Sequence, residues 1–319
     1  MQRTGFTIPF DHVPLSDHKE WIRELVDLGY TDVWSSEANG ADAFTPLALA
    51  AAWAPELRLG TAIVPAYTRG PATLAQQVAS MASAAPGRFV FGIGTSSNVI
   101  VESWNGLEFA EPFRRTRDTV RFLRDALTGE KTNADLTGFS SHGFRLGIRA
   151  PEPVPILIAA LRPQMLALAG REGDGAIINW LSAQDVSKVA PIVHEQGPGK
   201  EIVARIFVAP NLEREVVLNY GKVAIASYLN VAVYAAFHDW LGRGEMLTPM
   251  WTAWNAGDRA GALEAIPDSL VDELIVSGSG GECRERIQDY VDNGVTTPVL
   301  AVLPFGGDQR QAIRDLAPR

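Results

Sequence analysis

Short runs of β-branched and aromatic residues alternate along this chain with longer segments in which apolar residues recur at helical spacing. The runs LRLGTAIVP and RFVFGIGTSSN are two of these. Between them, residues 71–85 place Leu74, Val78 and Met81 on one face of a helix. An apolar run that ends in small or hydroxylated residues is typical of a strand buried on both faces of a parallel sheet. Such an end leaves room for a ligand beyond the strand's carboxyl end.

The same unit recurs along the chain and predicts eight strands. The strands are expected at 4–10, 31–37, 57–65, 89–96, 154–161, 175–180, 202–210 and 297–304. Helices are expected at 21–28, 44–54, 71–85, 112–129, 163–170 and 282–293, with a small hairpin at 138–147. Eight strands in this order favour an α/β fold closed into a (β/α)8 TIM barrel, and an open doubly wound sheet is the alternative.

Residues 212–274 do not fit the repeat and are rich in Trp and Tyr. They predict a helical insertion between strand seven and its following helix. That position is at the mouth of a barrel, where active sites are built. Packing the insertion onto the barrel would also account for most of its aromatic residues. We expect one domain over residues 1–319, with 212–274 as its insertion.

Composition excludes several function classes. The chain has 319 residues and a net charge of −9, which argues against a nucleic-acid partner. The apolar stretch 223–237 is too short to span a membrane and is interrupted by Asn230, so we expect a buried helix. The first residues lack the features of a secretion signal.

The single cysteine, Cys283, cannot form an intramolecular disulfide and fits a cytoplasmic protein. The five histidines lack metal-ligand spacing, so no metal is expected.

Five segments of the chain resemble the bacterial-luciferase-like family. They are SSEANGADAFTPLALAAAW, LRLGTAIVPAYTRGPATLA, PGRFVFGIGTSS, FRRTRDTVRFLRDAL and PILIAALRPQMLALAGREGDGAIINW. More narrowly, they resemble the branch that uses the deazaflavin coenzyme F420. This resemblance implies an oxidoreductase that passes a hydride between F420 and a small organic substrate. An FMNH2-dependent monooxygenase and a non-catalytic flavin- or deazaflavin-binding protein are the alternatives. The resemblance also implies a homodimer, and we expect the second and third helices to form its interface.

The resemblance places the cofactor ring at the barrel mouth and implies which residues touch it. The bond between Ala62 and Ile63 matches a non-prolyl cis peptide in a bulge behind the ring. Gly94, Thr95 and Ser96 match the segment beside the ring and its ribityl-like chain. Their small side chains and hydroxyl groups suit close approach and hydrogen bonding.

The phosphate of the cofactor tail has a candidate site that also follows from helix geometry. Four residues lead into a helix begun by a proline: Ala159, Ala160, Leu161 and Arg162. Backbone N–H groups and the helix dipole would converge there on one spot. Asn179 matches a family position near the same tail. The loop at 278–281 is a second anion-binding candidate, with a helix cap as its other interpretation.

No catalytic acid or base is assigned. The resemblance implies an Asp-His pair after strand two, and a catalytic Glu after strand four, in relatives that oxidise alcohols or sugar phosphates. This chain has Glu37 followed by Ala38, and Ser97 at the second place. An alcohol-oxidising mechanism through those groups is therefore disfavoured. Glu37 is a candidate to orient the ring or the substrate, and a carboxylate satisfied by nearby backbone N–H groups is the other interpretation.

Overall fold

A computed structural model describes residues 3–318 of the chain. Its strands are β1 (Gly5–Ile8), β2 (Asp32–Ser35), β3 (Arg58–Thr61), β4 (Val64–Pro65), β5 (Phe89–Gly94), β6 (Thr132–Leu136), β7 (Phe139–Phe144), β8 (Ile156–Ala159), β9 (Gly175–Asn179), β10 (Glu201–Pro210), β11 (Ile275–Gly278) and β12 (Thr297–Val302). Its α-helices are α1 (His18–Asp27), α2 (Thr45–Trp53), α3 (Pro71–Ala84), α4 (Pro112–Leu127), α5 (Pro163–Glu172), α6 (Ala183–His194), α7 (Arg214–Leu229), α8 (Ala232–His238), α9 (Gly244–Asn255), α10 (Arg259–Glu264), α11 (Asp268–Leu274), α12 (Gly280–Asp292) and α13 (Gln309–Asp315).

Eight parallel strands close into a barrel, which confirms the predicted fold. They are β1, β2, β3, β5, β8, β9, β10 and β12, and β12 returns to pair with β1. This closure excludes the open doubly wound sheet. The short β4 extends the barrel wall beside β5, and β11 pairs with the last four residues of β10. The strands β6 and β7 form a separate antiparallel hairpin.

Several boundaries differ from those expected. The predicted strand 57–65 is divided into β3 and β4 by the backbone at Ala62 and Ile63. The hairpin starts at Thr132, before the expected 138–147, because β6 is a half-exposed strand without a marked apolar pattern. The helix α6 was not predicted, although its capping box is readable in the sequence. There, the Ser182 hydroxyl accepts from the Asp185 N–H, and the Asp185 carboxylate accepts from the Ser182 N–H.

Alternate residues of each barrel strand point into the barrel. Six buried apolar residues pack together in the interior, and we call this cluster the middle layer: Trp34, Val90, Leu157, Ile177, Val203 and Val299. The indole of Trp34 is the largest side chain of this layer and lies against β3. A Cβ atom on Gly60 would come within 2.2 Å of that indole, so only glycine leaves room for it.

A buried ionic network closes the barrel below this layer. The Arg58 guanidinium donates to Asp32 and to both carboxylate oxygens of Glu201. Burial alone would raise the pKa of Glu201, but the hydrogen bonds and charge of Arg58 outweigh it and hold that pKa below its usual range. The same guanidinium lies 5.5 Å from the ring centroid of Trp34. The network and the indole therefore fill the lower barrel and leave its upper end for a ligand.

The helices α7 to α11 occupy the region that the sequence predicted to be a helical insertion. Their apolar residues pack with Trp180, Phe207 and Ala209 from the upper ends of β9 and β10. The insertion thus stands over the barrel mouth. No single helix in residues 3–318 is long and apolar enough to cross a membrane. One pair of consecutive helical segments, Arg214–Leu229 and Ala232–Asn255, is long and apolar enough for a membrane span when the two are taken together. The pair is bent by 106°.

We expect Arg58→Met to lower the free energy of unfolding by about 3–5 kcal/mol, because it removes the cation of the half-buried Glu201 and leaves the buried Asp32 with Arg3 alone, at 3.4 Å. The Asp32 side chain is 0% exposed. The matched control is Arg23→Met, whose partner Glu56 is 49% exposed. That surface pair should contribute less than about 1 kcal/mol. Urea unfolding of both variants measures the difference, and equal losses would contradict the role given to the network.

Candidate active site

One side of the barrel mouth is small and apolar. Ala62, Ile63 and Ala159 pack against the middle layer at the upper ends of their strands. A Cβ atom on Gly94 would lie 2.9 Å from the Ala159 Cβ and 3.1 Å from Ile63 Cδ1, so these residues adjoin one another. We call this surface of Ala62, Ile63, Gly94 and Ala159 the apolar platform. It brings together the two segments that the resemblance assigns to the ring, at Ala62–Ile63 and at Gly94, with Ala159 from the predicted phosphate turn.

The peptide bond between Ala62 and Ile63 is cis, as the sequence led us to expect. Backbone hydrogen bonds hold this bulge on its β2 side. The Ala62 N–H donates to the Ser35 carbonyl at 2.6 Å, and the Glu37 N–H donates to the Ile63 carbonyl at 3.2 Å. These contacts position the Ile63 side chain beside Gly94.

Left-handed backbone conformations occur just after two of the barrel strands, β5 and β9. Ser96, two residues after β5, has a φ of 62°, and Trp180, directly after β9, has a φ of 52°. Such angles are uncommon for residues other than glycine and cluster at functional sites. The Thr95 hydroxyl, beside the platform, donates to the Ser96 carbonyl at 3.2 Å. Thr95 and Ser96 are both half-buried, so their hydroxyl groups lie at the rim of the mouth.

Glu37 lies at the upper end of β2, and both of its carboxylate oxygens have partners. Arg69 donates to them at 2.5 and 2.7 Å, and the Ala43 N–H donates at 3.2 Å. The Arg69 guanidinium also lies 5.4 Å from the ring centroid of Phe44. Glu37 therefore joins the loops after β2 and β4. The sequence raised the backbone partner as one interpretation but did not anticipate the ion pair.

The predicted phosphate turn divides into one buried and several accessible residues. Ala160 is 2% exposed, packs in the core, and donates its N–H to the Ile177 carbonyl at 3.0 Å. Neither its side chain nor its N–H is available to a ligand, which corrects the expectation for this residue. Leu161 is half-buried, and Arg162 is exposed directly before α5. The anion-binding geometry therefore belongs to the first turn of α5, whose N–H groups have no intrahelical acceptors.

The loop at 278–281 has the structure of a helix cap. The Ser279 hydroxyl accepts from the Glu282 N–H, and the Glu282 carboxylate accepts from the Ser279 N–H at 2.8 Å. This reciprocal pair satisfies two of the N–H groups that an anion would otherwise contact. The capping interpretation is therefore the better one for this loop.

The other side of the mouth is polar, and the sequence identified only one of its residues. The Asn179 amide donates to the Tyr234 hydroxyl of α8 at 3.3 Å. Burial raises the pKa of Tyr234 to about 12, so its hydroxyl is neutral near pH 7. Arg205 is the residue of β10 beside Asn179. Its signal in the sequence is a charged residue in phase with Val203 in the interior of a strand that is apolar apart from Glu201 at its start.

The nearest buried histidine does not supply a base at the mouth. The His238 Nε2 is hydrogen-bonded to the Trp180 carbonyl at 2.9 Å, behind the mouth. Burial and the positive charge of Arg243 lower the pKa of His238 to about 4, so the ring is neutral. Within residues 3–318, no group of three or more His, Cys, Asp or Glu side chains could hold a metal ion. The mouth can bind and orient a flat ligand, while the reactive chemistry would come from a cofactor.

Comparison with known proteins gives the chain a family. A model of the luciferase-like monooxygenase family matches residues 3–297. A 5,10-methylenetetrahydromethanopterin reductase from Methanolobus tindarius is 27% identical over 320 residues, which cover 96% of this chain and 95% of that protein. An F420-dependent glucose-6-phosphate dehydrogenase from Rhodococcus hoagii is 30% identical over 275 residues, covering 82% and 78%.

A solved structure has the same fold over nearly the entire length. The coenzyme F420 dependent tetrahydromethanopterin reductase from Methanopyrus kandleri superposes with a TM-score of 0.80 at 18% identity. The superposition covers 99% of this chain and 97% of that protein. At this identity, the likeness establishes the fold and does not extend to ligands.

Proposed function

Because this chain belongs to the luciferase-like monooxygenase family, we propose that it is an oxidoreductase that uses coenzyme F420. The apolar platform is the observation that carries the proposal. Its four residues are small or aliphatic and converge from three strand ends into one surface that fits the face of a flat tricyclic ring. When bound, the deazaflavin supplies hydride transfer at its C5 atom. We also propose that the chain acts as a single domain located in the cytoplasm.

The residues of this chain have holding and orienting roles in the proposal. Ala62 and Ile63 support one face of the ring, while Gly94 and Ala159 leave room for its edge. Thr95 and Ser96 offer hydroxyl groups to the chain that joins the ring to its phosphate. The pair of Glu37 and Arg69 holds the two loops beside the platform in place. Asn179 is assigned to the cofactor tail, as the resemblance implies, and the polar side that it shares with Tyr234 faces the substrate. The insertion excludes water from the mouth.

Binding of F420 tests the cofactor assignment. We expect its dissociation constant to be at least tenfold below that of FMN, a difference of about 1.4 kcal/mol. Parallel titrations with F420, FMN and FAD, followed by absorbance and fluorescence, measure it. Equal affinities, or FMN retained through purification, would favour the monooxygenase. Tight F420 binding without turnover of several hydride acceptors would favour a non-catalytic binding protein.

We propose that the first turn of α5 binds the phosphate of the cofactor tail. This turn adjoins the platform, because Ala159 is followed directly by the residues that lead into the helix. Leu161 and Arg162 lie at its entrance, and Arg162 is exposed enough to add its positive charge. The helix dipole and the free N–H groups of the first turn favour an anion there.

A negative charge in this turn should weaken cofactor binding. Gln164 is exposed in the first turn of α5, so Gln164→Glu should leave the fold intact. We expect it to raise the F420 dissociation constant about tenfold, by charge repulsion over a few ångströms. The matched control is Gly281→Glu in the first turn of α12, where no tight contact surrounds the glycine. A larger effect of the control than of Gln164→Glu would place the phosphate at α12.

We further propose a homodimer formed by the outer faces of α2 and α3. Neither helix contains a charged residue. The apolar face of α3, with Leu74, Val78 and Met81, is buried in the chain's own core. The faces left exposed carry small uncharged residues such as Ala48 and Ser80. Depletion of charge is typical of the central part of an interface between subunits.

Light scattering should give a mass of about twice the chain mass of 34.5 kDa. Ser80→Glu on α3 should shift the mass toward that of the single chain, because a twofold interface receives the new charge twice. Ser187→Glu on α6 is the matched control, since it places the same change on another exposed helix face. A monomeric wild-type protein at micromolar concentration would refute the dimer.

A further inference from the structure

Arg205 is a cation inside the barrel mouth, and no carboxylate within residues 3–318 forms an ion pair with it. Its Nε atom is buried and has no hydrogen-bond partner in residues 3–318. By contrast, Arg58, Arg69 and Arg243 each form ion pairs with buried or half-buried carboxylates. The Arg205 guanidinium lies 5.0 Å from the ring centroid of Phe207. An unpaired charge in such surroundings is costly, which indicates a ligand that supplies the opposite charge.

A small cavity beside Arg205 contains further unpaired donors. Arg205 lines it together with Thr7, Trp34, Ser36 and Ala62, and none of the described residues that line it is a carboxylate. The Thr7 hydroxyl and the Trp34 indole N–H are both buried without partners. The cavity has room for about one water molecule, so a single ligand oxygen would fill it. That oxygen would meet one charged donor, from Arg205, and two neutral donors, from Thr7 and Trp34, on three different strands.

We propose that Arg205 is the anion-binding residue of the substrate pocket, and that the substrate carries a carboxylate whose oxygen enters this cavity. Ala62 lines the cavity and also belongs to the apolar platform. The carboxylate would therefore lie at the edge of the ring. The aromatic rings of Phe207 and Trp180, 4.1 Å apart, provide an apolar surrounding that strengthens the attraction. The term substrate rests on the proposed function, whereas the charge pairing does not.

Two other ligand groups fit Arg205 less well. The phosphate of the cofactor tail belongs to α5, outside the barrel interior. A carbonyl oxygen of the cofactor ring could enter the cavity, but a neutral carbonyl supplies no counter-charge. A carboxylate satisfies both requirements, since it brings a negative charge and an oxygen small enough for the cavity.

The test uses the full chain with acetate, oxalate and benzoate as probes, and acetamide and benzamide as neutral controls of similar shape. Thermal unfolding is recorded with and without each probe, both before and after F420 is added. We expect at least one carboxylate to raise the unfolding temperature of the wild-type protein, and the amides to have no effect. Arg205→Met should weaken carboxylate binding at least tenfold, and Arg205→Lys should retain part of it.

The outcomes separate this inference from the proposed function. F420 affinity should change less than twofold in Arg205→Met, because the residue is assigned to the substrate. A tenfold loss of F420 affinity would instead assign Arg205 to the ring and overturn the inference. So would carboxylate binding that Arg205→Met leaves unchanged, or the absence of any carboxylate effect on the wild-type protein. Failure of F420 to bind the wild-type protein would overturn the proposed function alone.

Discussion

The packing of Trp34 against Gly60 is the contact on which the form of the site depends. A closed barrel of eight strands has an interior that side chains must fill. Here one indole spans much of the middle layer, and it can do so because the facing strand carries no Cβ atom at residue 60. The indole also forms part of the boundary of the small cavity above it. The depth of the mouth is therefore set by one large side chain and one missing side chain.

Charges inside the barrel are distributed according to the roles of its two ends. At the lower end, Arg58 donates hydrogen bonds to the carboxylates of Asp32 and Glu201. These ion pairs contribute to the stability of the fold. At the upper end, Glu37 and Arg69 form a second pair that joins loops at the rim. Arg205 lines the small cavity, and no carboxylate within residues 3–318 pairs with it. Because Arg58 and Arg69 are paired with carboxylates, the positive charge of Arg205 is the one that a ligand in the mouth would meet.

The two sides of the mouth divide the work of binding. Small or aliphatic residues at the upper ends of β3, β5 and β8 form the apolar platform, while β9, β10 and the insertion contribute polar groups. A flat ring against the platform would leave its other face toward Asn179 and Tyr234. No free acid or base lies on either side among the residues described above, which suits a cofactor that carries its own hydride. The protein then contributes position, exclusion of water and electrostatics.

The sequence alone determined the order and type of most elements and the family to which the chain belongs. The helix α4 follows the prediction closely, and Gly29 ends α1 with a φ of 88°, because local periodicity and glycine conformation decide such features. Only the tertiary structure decided which site residues are available. The Ala160 N–H is used by a neighbouring strand, and Glu37 is paired with an arginine 32 residues away. Such contacts depend on the directions of side chains from distant segments, which local patterns do not encode.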